Sequence, residues 1–109
     1  LYDVLSAWPV IGRRSGQWPQ QKLKMAMAWF GEKNRYYKPL EITSRRMLLT
    51  AKRLGLGDAQ PILHELIAQT PVVIRSVQSQ LPAGFPQTVS EPVFTGLQSS
   101  ASQLQRQLI

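Results

Sequence analysis

Apolar residues in the second half of the chain recur at three- and four-residue intervals. Ile62, Leu63, Leu66, Ile67, Val73, Ile74, Val77 and Leu81 keep one helical register across Pro71, the spacing that gives a helix one continuous apolar face. Asp58 is the expected N-cap and Pro61 suits the first turn. An interior proline removes a backbone hydrogen bond, so either one kinked helix or two abutting helices satisfy the pattern. Leu81-Pro82-Ala83-Gly84-Phe85-Pro86 reads as a turn with Phe85 as its apolar anchor. A last helix is expected from Val89 or Ser90, with Ser90 as cap, Pro92 in its first turn, and a narrow stripe of Val93, Leu97, Ala101, Leu104 and Leu108.

The first half is less regular. Thr43-Ser44 should cap a helix ending near Leu54, with Gly55 as its stop. Met47, Leu48, Ala51 and Leu54 would be buried, and Arg45, Arg46, Lys52 and Arg53 exposed. Leu23, Met27 and Phe30 predict a helix over 20–30 following Pro19. Gly31 to Pro39 is polar, basic and aromatic, a loop or short extended piece. Gly12 to Gly16 is a turn-rich connection. The expected fold is mainly α, with four to five helices in a single domain over residues 1–109.

Charge changes this picture. Residues 1–57 carry eleven Lys or Arg against Asp3, Glu32 and Glu41, whereas residues 58–109 carry Arg75 and Arg106 against Asp58, Glu65 and Glu91. The whole net charge of +7 thus resides in the first half. That asymmetry suits a polyanionic partner, and equally a basic solvated surface. A helix opening Ser44-Arg45-Arg46 could contact backbone phosphate; no tight turn and partner helix of the helix-turn-helix kind supports base readout. Tyr36 and Tyr37 could stack on bases, although tyrosines more commonly lie over a core edge. A small basic helical nucleic-acid-binding module is therefore one reading of the chain.

With no cysteine in the chain, disulfides, thiolate catalysis and cysteine–zinc sites are excluded, and a cytoplasmic setting is expected. No apolar run suggests a membrane span. His64 is the only histidine and has no second soft ligand nearby, so it reads as a surface residue. A start at Leu1, with no signal-like segment, reads as a piece of something longer.

Five segments, Leu1-Tyr2-Asp3-Val4-Leu5-Ser6-Ala7-Trp8-Pro9-Val10-Ile11-Gly12, Lys22 to Ala28, Gly31 to Tyr37, Ser44 to Lys52, and Leu81 to Pro86, form an ordered set. In that order they resemble the C-terminal region of HipA-type serine/threonine kinase toxins of bacterial toxin–antitoxin pairs. In the third of these, Glu32 interrupts the Gly-Lys-Asn core of that family. The resemblance implies the helical C-terminal subdomain of a kinase-like fold, with Asp3 as the magnesium ligand at ATP. It implies an upstream kinase lobe and a HipB-like DNA-binding antitoxin as partners, and operator DNA reached through the antitoxin complex. Arg45, Arg46, Lys52 and Arg53 are then the candidate DNA contacts. The catalytic-loop Asp and Asn and the phosphate-binding Lys of such kinases would precede Leu1, so no catalytic residue is expected within this chain and the chain alone should be inactive.

Overall fold

A computed structural model describes residues 6–108. The chain is mainly helical. Three α-helices, α1 (Ser44–Arg53), α2 (Gln60–Gln80) and α3 (Gln87–Leu108), follow a two-stranded antiparallel hairpin of β1 (Trp29–Phe30) and β2 (Arg35–Tyr36). Single 3-10 turns occur at Trp8–Val10, Gln20–Lys22 and Pro39–Glu41. No helix among the described residues is long and apolar enough to cross a membrane.

The helix expected over 20–30 does not form. After the turn at Gln20–Lys22 the chain runs without helix and bends at Ala26–Met27, and Met27, placed by periodicity on a buried face, is 81% exposed. Tertiary hydrogen bonding overrides the helical propensity of the Lys22–Ala28 stretch. Met25 N–H donates to the carbonyl of Tyr37 (2.7 Å), and Trp29 and Phe30 pair with Tyr36 and Arg35. Aromatic residues suit such a half-buried pleat. The Thr50 hydroxyl then fixes the hairpin to α1, accepting from Phe30 N–H and donating to Arg46 C=O, both at 2.8 Å. Gly31 is buried at the hairpin tip, where any Cβ would overlap the Tyr36 ring.

In α1 the expected cap is present: the Thr43 hydroxyl accepts from Arg46 N–H at 3.3 Å. Gly55, at φ 77°, ends the helix in the left-handed region that glycine enters without steric cost. Its buried residues are Ser44, Thr50 and Ala51. Leu54, expected inside, is 62% exposed because it follows the last helical residue and leaves the packed face.

The long helix α2 is continuous through Pro71. Asp58 lies one residue before the cap position; its carboxylate accepts from Gln60 N–H at 3.0 Å, and Pro61 occupies the first turn. The inward line is Leu63, Ile67, Thr70 and Ile74, whereas Ile62, Leu66, Val73 and Val77 stand outward, 41–57% exposed. In α3 the helix starts at Gln87, not Ser90, because Val89 and Ser90 N–H groups already bond to the carbonyl of Pro86. Pro92 consequently lies inside the helix. Gly96 and Ala101 are the residues of α3 that bury most fully, and Leu97 is 40% exposed.

The turn from Leu81 to Pro86 folds α3 back against α2, closed by Phe85 N–H to Pro82 C=O at 3.1 Å. Phe85 itself is 39% exposed and does not anchor a core. The third helix also touches α1 and the Trp8–Val10 turn, so it joins both halves of the chain. The result is elongated, 46 × 31 × 29 Å, with a radius of gyration of 15.5 Å against about 13 Å for a compact domain of this length. The core is correspondingly shallow. Its buried apolar residues are Ala51, Leu63 and Ala101, and no large side chain is fully buried among the described residues.

Candidate functional site

The cationic side chains of α1 and the hairpin form the clearest concentration of potential chemistry. At 100° per residue, Arg45, Arg46, Lys52 and Arg53 fall on one side of α1 with Leu49 among them. The hairpin lies across that side. Its tip and the N-terminus of α1 flank a cleft of about 640 Å³, lined by charged or polar groups that include Lys33, Asn34, Arg45 and Arg46.

The four candidate cations are not equivalent. The Arg45 guanidinium pairs with the Glu32 carboxylate, both exposed. Arg53 donates to the Glu32 backbone carbonyl at 3.1 Å and lies 5.5 Å from the Phe30 ring centroid. Arg46 donates to the carbonyl of Glu41, and its guanidinium carbon lies 3.5 Å from the centroid of the Tyr36 ring. The Lys52 ammonium has no hydrogen-bond or ion-pair partner among the described residues. All four are expected from the sequence to be exposed; Arg46 is only partly so, and three of them already serve the hairpin or the turn beside it.

This arrangement narrows the role open to the tyrosines. One face of Tyr36 is occupied by Arg46, as expected for a guanidinium over a ring quadrupole. That face is closed to a base. Tyr37 is 42% exposed, and its backbone carbonyl is tied to Met25.

Residues that sequence reasoning did not single out complete the cleft. Gln107, near the end of α3, reaches back so that its side-chain oxygen accepts from Ser44 N–H at 2.7 Å. Together with the Thr43 cap, this satisfies two of the first-turn amides of α1, groups that otherwise need a ligand, water or a cap. Nothing in the spacing of 44 and 107 announces that bond. Glu32 differs: its place as the lone acid in the run from Gly31 to Lys38 was a legible signal.

A second junction holds the opening segment. The 3-10 turn Trp8–Val10 sits on α3, with the Trp8 indole against Gly96. Gln17 closes the loop that follows, donating to Pro9 C=O (3.3 Å) and accepting from Arg14 N–H (3.2 Å). Gly12 N–H to Trp18 C=O (2.9 Å) and Trp18 N–H to Val10 C=O (2.8 Å) fasten its ends. The turn-rich connection from Gly12 to Gly16 is therefore tied at both ends.

Asp3, the residue implied as a magnesium ligand, lies outside the described residues. Among the described residues no group of three His, Asp or Glu side chains converges, and His64 is exposed on α2. No protein-family model matches the chain.

Proposed function

We propose that the chain is the helical C-terminal part of a HipA-like serine/threonine kinase toxin, acting in the cytoplasm together with an upstream lobe and a HipB-like antitoxin. The observation that carries this reading is the junction of Trp8 with Gly96. It ties the described part of the opening segment, in the stretch where the resemblance is densest, to the last helix, so that residues 88 positions apart belong to one packed body. The shallow core and the outward apolar line of α2 also fit a body completed by another lobe. Magnesium and ATP would be held chiefly by upstream residues, with Asp3 contributing one carboxylate; the metal would neutralise phosphate charge during transfer. In this reading the last helix is the platform for the Trp8–Val10 turn, downstream of Asp3.

Phosphoryl transfer depends on several positioned charges acting together, and the chain alone lacks those assigned to the upstream lobe. The deciding experiment is an ATP-dependent phosphotransfer assay on the protein joined to that lobe. Asp3→Asn should lower transfer by about 100-fold or more, and the 109-residue chain alone should give no product. Product from the isolated chain, or unaltered transfer by Asp3→Asn, would refute the reading.

A second reading, a basic nucleic-acid-binding module, is favoured by the grouping of Arg45, Arg46, Lys52 and Arg53 on one side of α1. The two meet if the kinase complex lays this side against operator DNA. They part in one respect: an independent module should bind DNA without an antitoxin.

A further inference from the structure

Within residues 6–57 the only acids are Glu32 and Glu41. One of them stands at the centre of the cationic surface. Glu32 uses two acceptors on two arginines separated by about two turns of α1: its carboxylate takes Arg45 and its backbone carbonyl takes Arg53. A single hairpin residue thus occupies both ends of the cationic row.

We propose that Glu32 is a built-in competitor for nucleic-acid phosphate, so that a DNA backbone gains Arg45 and Arg53 only by displacing the hairpin tip. The proposal rests on the reading that this side of α1 faces DNA. The geometry suits displacement. Glu32, Lys33 and Asn34 are exposed, and the tip is closed by one backbone bond, Gly31 N–H to Asn34 C=O at 2.8 Å. The pairing beneath it is held separately, through Thr50 and the β1–β2 register, so the tip can move while the hairpin base stays docked. An exposed ion pair is weakly held and screened by salt, and Glu32 engages Arg45 through one carboxylate oxygen only, whereas a phosphate free to dock can take the guanidinium through two. Displacement also frees the tip to bring Lys33 alongside the same phosphates. Arg46 takes no part, because its contacts with Tyr36 and Glu41 lie away from Glu32.

The test is fluorescence anisotropy with a short DNA duplex of arbitrary sequence, comparing the wild-type protein with Glu32→Gln, Arg45→Gln and the double variant, with Glu41→Gln as a charge control. Circular dichroism would establish that each variant is folded. Glu32→Gln should bind about two- to fivefold tighter at low salt, with the advantage shrinking as salt is raised. Glu41→Gln should gain less, and the benefit of Glu32→Gln should largely vanish in the Arg45→Gln background. An equal gain from Glu32→Gln and Glu41→Gln, or a gain that persists without Arg45, would overturn the competition and reduce it to net charge. Unaltered binding by Glu32→Gln, with Arg45→Gln weakened, would likewise overturn it while leaving the DNA-facing surface intact. If Arg45→Gln does not weaken binding, or the wild type does not bind, the surface reading itself fails and the competition with it.

Discussion

The indole of Trp8 fills the space that a side chain at Gly96 would need. A Cβ built at 96 would fall among the indole ring atoms. Glycine in a helix interior costs about 1 kcal/mol relative to alanine, and here the absence of a side chain is what admits the ring.

Two effects compete in Gly96→Ala, and the clash should win. Helix propensity favours alanine by about 1 kcal/mol, while displacing a packed indole costs roughly 1–3 kcal/mol. Thermal unfolding should therefore show net destabilisation. In a Trp8→Ala background the clash is gone, and the same substitution should become neutral or stabilising. The reversal of sign is the measurement that matters; equal effects in both backgrounds would show that the two residues are not coupled.

Thr50→Val should cost about 1–3 kcal/mol, because it preserves shape while leaving Phe30 N–H without its acceptor. Thr50→Ser keeps the hydroxyl and should recover most of that loss. Urea titration would separate the variants. A valine variant as stable as wild type would mean that the hairpin is held to α1 by packing alone.

The two apolar lines of α2 should respond differently to truncation. Leu63→Ala removes a side chain that is 9% exposed and should cost about 2–5 kcal/mol. Leu66→Ala removes one that is 57% exposed and should cost under about 1 kcal/mol in the isolated chain. Similar losses at both positions would place Leu66 inside a packed face.

Lys52 and Arg46 should separate binding from stability. The Lys52 side chain has no partner among the described residues, so Lys52→Gln should lower the salt dependence of DNA binding by about one unit of log–log slope with little change in unfolding. Arg46→Gln should first reduce stability, by about 0.5–1 kcal/mol, through loss of its stack on Tyr36. An unaltered salt slope for Lys52→Gln would remove it from the DNA-facing surface.

The elements that read correctly from sequence are those with local causes. The bounds of α1 follow from Thr43 as a capping hydroxyl and Gly55 as a left-handed stop, and both signals lie within one turn of what they determine. The turn at Leu81–Pro86 is likewise written in its own residues. At Lys22–Ala28, local propensity favours helix, but the Met25–Tyr37 bond and the pairing of Trp29 with Tyr36 draw the chain into an irregular, non-helical path. Periodicity also merges two lines of α2 into one apolar face. It cannot tell which line meets α3, since both recur at the same spacing.

For the candidate site the division is similar. Sequence alone determined that the cations are concentrated in residues 1–57, that four of them share one side of a capped helix, and that Glu32 stands among them, because composition and a 3.6-residue repeat are properties of the chain itself. Only the tertiary structure decided which of those cations are engaged. Arg45, Arg46 and Arg53 are taken by a hairpin 10 to 21 residues away, Ser44 N–H by Gln107, and Gly96 by Trp8. These partners are chosen by how separate elements dock, and no local pattern of residues encodes that choice.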